Sequence, residues 1–416
     1  MKNINNKLSA SLAVVVCSFL LLTSCNKGLE QPATIPTPVY PSGAGIAATI
    51  AANPNYSFYN ALIAKAGMAS FLNDSTKTYT LLATDNAGMK VFVNAISNGA
   101  VPLNAPDATF LGFISGANLP AASAAGIIQY NTIGQKLPWN SVGTAFPNFP
   151  YTSQIILDAT QPFVRMNLFP VRGTPYSYVN NIPVTATDMP AVNGLIHTTA
   201  TIVAPPTRLL KDTMYRDASL TYFKAAIARA DSGSTGLNKL DSLLGYGVTN
   251  MTILAPNDAA FQTLIFGLVY SQALAATGGN TVIATAQANA AVAAGPAFLA
   301  TNNVTTAQIK GIMAYHFLAS SINNGPIQPN IRVFSTNIPA TPIFIKTLVN
   351  ASIAVHPGIM AQATYTGPTV SSLKFSSYGT FPPGGAAFSY TATAVAMDRP
   401  AVNGVYHVID KVLLPQ

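Results

Sequence analysis

The sequence predicts an α+β protein built from two tandem copies of one module, each made of short strands and flanking helices. Three observations predict it. The stretch AVNGLIHTTATIVAP at residues 191–205 recurs as AVNGVYHVIDKVLLP at 401–415, with Ala191/Ala401, Val192/Val402, Asn193/Asn403, Gly194/Gly404, His197/His407 and Pro205/Pro415 identical. Asp188 and Pro190 match Asp398 and Pro400 just upstream, and self-similarity at a fixed period is the mark of a duplicated unit. Helical and buried-strand patterns alternate in the same order ahead of each copy. Finally, 416 residues suffice for two or three domains, each able to bury a core.

The chain opens on a segment of a different kind. Met1–Lys7 is a short basic region, Leu8–Leu22 an apolar run, and Leu22-Thr23-Ser24-Cys25 reads as a bacterial lipoprotein cleavage box. The apolar run is too short for a transmembrane helix. Residues 1–24 are therefore expected to be a signal peptide, and Cys25 to carry the lipid that holds the chain to a membrane. An ordinary secretory signal is the alternative. Residues 25–45, with Pro32, Pro36, Pro38 and Pro41 among small polar residues, form an extended tether. Cys17 falls within the leader, so no disulfide supports the folded part.

The first module spans 46–206 and the second 207–416. Each opens on an amphipathic helix, FYNALIAKAG at 58–67 and YFKAAIARAD at 222–231. A buried strand follows at Thr80–Leu82 or Thr252–Leu254, and then Asp85-Asn86 or Asn257-Asp258 supplies the cap of the next helix. A third segment, Phe113–Ile133 or Phe298–Leu318, carries Gly126/Gly311 and Tyr130/Tyr315. The closing stretch reads as a turn at Asn-Gly, where positive φ is cheap, then a buried strand ended by proline. The second copy is longer in two places, an Ala, Thr, Asn and Gln-rich stretch at 270–297 and a segment containing Phe381-Pro382-Pro383-Gly384-Gly385. Both are expected to be loops.

These motifs carry a resemblance to the fasciclin (FAS1) family. MTILAPNDAAF at 251–261 resembles the family's first box, Tyr315-His316 its central pair, and Asn403 through Pro415 its second box, which includes His407 and Asp410. The first copy is more degenerate: Thr84 stands for the proline, Gly88-Met89 for Ala-Phe, Asn131 for the central histidine beside Tyr130, and Thr199-Ala200 for Ile-Asp. The resemblance implies two modules, each a wedge of short strands flanked by helices, that act in extracellular adhesion or ligand binding without a cofactor. It assigns Tyr130, Asn131, His197, Tyr315, His316, Asn403, His407 and Asp410 to the family scaffold.

The chemistry legible in the residues agrees with a binding role. Charged residues make up only 8% of the chain against 49% apolar, a balance suited to a secreted protein. The net charge of +8 includes Lys2 and Lys7 of the leader, and no run of three basic residues occurs, so nucleic acid is not an expected partner. Glu30 is the sole glutamate and lies in the tether, which leaves little material for a paired-carboxylate hydrolase. The four histidines, His197, His316, His356 and His407, show no HExxH or other metal-ligand spacing. Neither a GxSxG elbow nor a phosphate loop is present, so no catalytic residue and no metal site is assigned. His197 and His407 alternate with apolar neighbours and are read as hydrogen-bonded core residues.

The aromatic cluster from Trp139 to Tyr178 is the candidate contact surface, with Trp139, Tyr151 and Tyr176 placed to stack against a sugar or peptide. The competing reading packs these rings under a hairpin. Asp74-Ser75-Thr76, Asp212-Thr213-Met214 and Asp241-Ser242-Leu243 resemble the acceptor tripeptide of Bacteroidetes O-glycosylation. The whole points to an outer-membrane lipoprotein of a Bacteroidetes-like bacterium, facing the cell surface or the periplasm. Its expected partners are the membrane, through the N-terminal lipid, and an extracellular protein or polysaccharide. A glycan-binding accessory lipoprotein of a nutrient-uptake system and, more remotely, a hydrolase are the alternatives.

Overall fold

Each module is organised around one parallel strand pair. In the first, β1 (Tyr79–Thr84) runs beside β8 (Gly194–Thr199), with Tyr79 opposite Gly194 and Leu82 opposite His197. In the second, β9 (Met251–Pro256) runs beside β15 (Gly404–Ile409), with Met251 opposite Gly404 and Leu254 opposite His407. The two registers are identical, and all four strands are buried along their whole length. The computed structural model describes residues 42–144, 149–300, 305–322, 332–353, 355–378 and 388–415. Cys25, the leader, the tether up to Pro41, Phe146 and Phe381–Gly385 lie outside the described residues.

Ahead of β1 come α1 (Ile46–Ala52), α2 (Ser57–Ala66) and α3 (Ala69–Leu72). After it come α4 (Asn86–Ile96), α5 (Asp107–Ser115) and α6 (Ala121–Tyr130). The cap residues do double duty. Asp85 accepts from Gly88 N to cap α4, while the neighbouring Asn86 Oδ1 accepts from Phe58 N at the start of α2. Short strands β2 (Thr132–Ile133), β3 (Tyr151–Ile156), β4 (Arg165–Leu168), β5 (Pro170–Val171), β6 (Ser177–Val179) and β7 (Ile182–Ala191) complete an eight-stranded sheet in the order β4-β3-β2-β1-β8-β7-β6-β5.

The second module repeats the plan with α7 (Leu210–Tyr215), α8 (Thr221–Ala230) and α9 (Leu240–Gly245) ahead of β9. Asn257 caps α10 (Asp258–Ala276) through Ala260 N, and Asp258 Oδ1 accepts from Tyr222 N in α8, so the double cap is duplicated as well. The long stretch after the first box, expected to be a loop, is helical. α10 continues to Ala276 and α11 (Thr281–Ala293) folds back on it. Alanine is the best helix former, Asn280 caps α11 through Val282 N and Ile283 N, and the buried Ala284, Ala288 and Ala291 give α11 a small-residue face against its neighbours. After α12 (Thr306–Tyr315), strands β10 (Phe317–Ile322), β11 (Ile343–Thr347), β12 (Ile359–Thr366), β13 (Thr369–Ser376) and β14 (Thr391–Ala401) close with β15 and β9 into a seven-stranded barrel.

A helix-side core lies on one face of each parallel pair and a strand-side core on the other. Leu81 and Ala83 belong to the first module's helical core and Leu82 to its sheet core, as alternation along a strand requires. Ile253 and Leu254 divide in the same way.

The Asn-Gly turn differs from its sequence reading. Neither Asn193 nor Asn403 has positive φ, and the left-handed residues are Asp188 (φ 61°) and Asp398 (φ 54°), at irregularities of the β7–β8 and β14–β15 ladders. The glycines answer a steric need instead. A Cβ on Gly194 would lie 1.8 Å from the Tyr79 carbonyl oxygen, and one on Gly404 would lie 2.4 Å from that of Met251.

Candidate functional site

The duplicated polar residues of the closing stretch are used to hold backbone. Asn403 Oδ1 accepts from Leu210 N at 2.8 Å, and its Nδ2 donates to the carbonyls of Leu244 and Tyr246, both at 3.0 Å. Asn193 does the same work in the first module, accepting from Ile46 N and donating to Leu72 O and Asp74 O. One amide thus ties the module's first helix, the loop before its first strand and the turn into its last strand together.

The histidines form a second clasp. His407 Nε2 faces Val333 O at 3.0 Å while Nδ1 accepts from Asp398 N at 3.3 Å, and Asp398 Oδ1 accepts from Ser335 N. His197 repeats this with Leu137 O, Asp188 N and, through Asp188 Oδ1, Trp139 N. Facing a carbonyl on one side and an amide on the other, each ring is a neutral Nε2–H tautomer. Burial lowers the His197 pKa from its ordinary value. Neither histidine has a free nitrogen for general-base catalysis, and each carboxylate serves a backbone amide rather than the imidazole. No cluster able to hold a metal ion occurs among the described residues.

The central pair behaves similarly. His316 Nδ1 donates to Ile312 O at 2.8 Å, and its Nε2 accepts from Leu413 N at 2.9 Å; burial pushes its pKa down to about 4. Asn131 stands in for it, donating to Ile127 O and Val203 O, both at 2.9 Å, and its buried Oδ1 is left without a partner. Asp410 pairs with Thr393, the carboxylate accepting from Thr393 N at 2.7 Å. Tyr315 accepts from Tyr378 N at 3.1 Å.

What these clasps position is the segment each holds down. In the second module it is 332–337, and it meets the first module in a buried seam. Phe334 packs with Phe169 and Val405, the two phenyl centroids 6.1 Å apart. Arg332, only 3% exposed, lays its guanidinium carbon 4.9 Å from the Phe169 centroid. Its other partners are Asn250 Oδ1 at 2.9 Å and Val402 O at 3.0 Å. Burial lowers its pKa to about 10, which leaves it a cation at neutral pH. Thr336 donates to Asn180 O at 3.0 Å, and Tyr178 donates to Pro368 O at 2.8 Å. Asn180 also donates to the Tyr130 hydroxyl and accepts from Phe169 N, so the first module's central tyrosine sits directly behind the seam. Both modules belong to one compact unit, Ser42–Gln416.

Beside this seam opens a groove of about 580 Å³ with walls from both modules. The first contributes Thr144, Tyr176 and Tyr178, and the second Thr336, Pro339 and Tyr365. Tyr365 donates to Ile338 O at 2.7 Å, which holds its ring in place. Among the described residues, no charged side chain lines the groove.

Of the three aromatic residues expected at a contact surface, only Tyr176 lines this groove, and it is 40% exposed. Trp139 is a correction. It is 6% exposed, packs edge-on against His197 with centroids 5.0 Å apart, and donates its indole N–H to Ser177 Oγ, so it belongs to the core that the clasp organises. Tyr151 lies half-buried on β3 against the same core. Of the acceptor-like tripeptides, Asp74-Ser75-Thr76 lies in a loop, whereas the other two lie within α7 and α9. Sequence reasoning missed Arg332, Phe334, Thr336 and Asn180. The available signal was that 332–337 occupies the place of 136–141 in the duplicate, anchored in both by a strand threonine that accepts from Leu137 N or Val333 N.

The fold and the site define a tandem pair of α+β modules whose duplicated polar residues maintain structure and whose shared groove is uncharged. Residues 220–415 match the family model of the fasciclin domain, so the second module is a fasciclin domain. A solved FAS1 domain pair from the insect cell adhesion molecule Fasciclin I aligns at 13% identity with a TM-score of 0.32, covering 86% of this chain and 95% of that one. No curated protein sequence matches the chain.

Proposed function

We propose that this protein is a membrane-anchored, extracytoplasmic adhesion or ligand-binding protein that works without a cofactor, and that its ligand sits in the groove between the two modules. The observation that carries this reading is the groove's composite wall: residues of both modules line it, and the buried Arg332–Phe169 seam beside it holds the modules together. Sites at domain interfaces are a common place for ligands. The lipobox-like Leu22–Cys25 and the proline-rich tether support attachment to an outer membrane with the modules held off the lipid surface. The glycan-binding accessory reading is a narrower form of the same role.

Beads coated with the full-length protein, tested on immobilised extracellular proteins and polysaccharides, examine the binding claim. Retention on at least one surface, lost when Ala340→Trp fills the groove, is expected; retention indifferent to that substitution contradicts it. Cys25→Ser is expected to release the chain from the membrane fraction, and continued membrane association would overturn the lipid anchor.

A further inference from the structure

We infer that the inter-module groove binds a short, neutral oligosaccharide, an inference that rests on the proposed binding role and names the ligand class. Charge comes first. With no Lys, Arg, His or Asp among the described residues of its wall, the groove offers no counter-ion there, and burying a charged ligand would leave that charge unpaired. A purely apolar ligand is disfavoured for the converse reason, because the threonines Thr144 and Thr174 line the same space and would lose their water.

Tyrosines of both modules line this volume, and they differ in how their hydroxyls are used. Those of Tyr178 and Tyr365 donate to Pro368 O and Ile338 O, so these rings are held in fixed orientation. Tyr176 has no hydrogen-bond partner among the described residues and is exposed, so its ring and its hydroxyl are both available. A ligand that meets preset aromatic faces and scattered hydroxyl groups without carrying charge needs C–H faces and many neutral hydroxyls of its own. A pyranose ring has both, and aromatic side chains bind such faces with little entropic cost. The volume of 580 Å³ falls within the roughly 300–1,000 Å³ typical of small-ligand sites. A proline-rich peptide also stacks on tyrosine and is the competing occupant that the test includes.

The test is a neutral-oligosaccharide panel of maltohexaose, cellohexaose, xylohexaose, mannohexaose and chitohexaose, titrated against the full-length protein in detergent. Binding of at least one is expected, weakened tenfold or more by Tyr176→Ala and abolished by Ala340→Trp, with the melting temperature of both variants unchanged. No binding, or binding equal in the variants, overturns the inference. A decaproline peptide run in parallel separates the two failures. If the sugars fail while decaproline binding or bead retention is lost in Ala340→Trp, the groove is a ligand site of another class; if nothing depends on Ala340→Trp, the groove reading itself fails.

Discussion

The guanidinium carbon of Arg332 lies 4.9 Å from the centre of the Phe169 ring, so a buried cation of the second module rests on an aromatic face of the first. Among the described residues no carboxylate accompanies it; the positive charge is met by the ring, the Asn250 side-chain oxygen and the Val402 carbonyl. A buried cation–π contact is worth up to about 2 kcal/mol and a hydrogen bond to a charged group about 1.5–3 kcal/mol. Arg332→Ala is therefore expected to cost roughly 2–4 kcal/mol and to uncouple the modules. In calorimetry the variant should show two separated transitions where the parent shows one.

His316 makes the second module acid-sensitive. Burial lowers its pKa to about 4, below the ordinary value of 6.5, because the folded state holds it neutral. Above pH 6.5 the imidazole is neutral in both states and costs nothing. As the pH falls from 6.5 toward 4 the unfolded chain takes up a proton that the folded chain refuses, so stability falls, by on the order of 3 kcal/mol at the lower end. His316→Asn, which installs the side chain found at 131, keeps a donor for Ile312 O, as Asn131 has for Ile127 O, and cannot titrate. Urea denaturation at pH 7 and pH 4.5 should show the parent losing more stability than the variant.

Asn403 serves three elements with one amide. Asn403→Ala leaves Leu210 N and the carbonyls of Leu244 and Tyr246 without it, and the buried groups left unpaired are expected to cost about 2–4 kcal/mol. Asn403→Asp retains the acceptor but sets a buried carboxylate oxygen against the Leu244 and Tyr246 carbonyls, so its cost in the same urea titration should equal or exceed that of Ala.

Trp139 and Tyr176, which look alike in sequence, should separate cleanly. Trp139→Ala empties a core position and is expected to destabilise by about 3–5 kcal/mol. Tyr176→Ala, at an exposed position, should change stability by no more than about 0.5 kcal/mol and act on ligand binding alone. Paired measurements of melting temperature and bead retention distinguish the two.

The duplication, the helix that opens on the Asp-Asn or Asn-Asp cap and the buried closing strand were legible in the sequence, because each is written in local signals: periodicity, capping residues and a repeated motif; that the closing strand pairs in parallel was not. His197 and His407, read in the sequence as hydrogen-bonded core residues, lie buried with both ring nitrogens engaged by backbone. The seam was not legible. Arg332 and Phe169 stand far apart in the chain and in segments without periodicity, and nothing local distinguishes a buried arginine from a solvated one. The Ala-rich stretch after the first box was misread as a loop because its length difference outweighed the helix propensity of its alanines. Trp139 was misassigned because aromatic content marks both cores and contact surfaces, and only the clasp by His197 and Asp188 decides between them.

The central claim is that the two modules form one fixed pair, since the groove exists only while they do. Both cysteines lie in the first 25 residues, so spin labels can be placed on Val91→Cys and Val395→Cys, exposed positions on the first and second modules, in a chain whose Cys17 and Cys25 are replaced by serine. Pulsed electron–electron resonance should return a single narrow distance distribution that broadens when Arg332→Ala is added. A broad distribution already present in the chain with Arg332 intact would contradict the account.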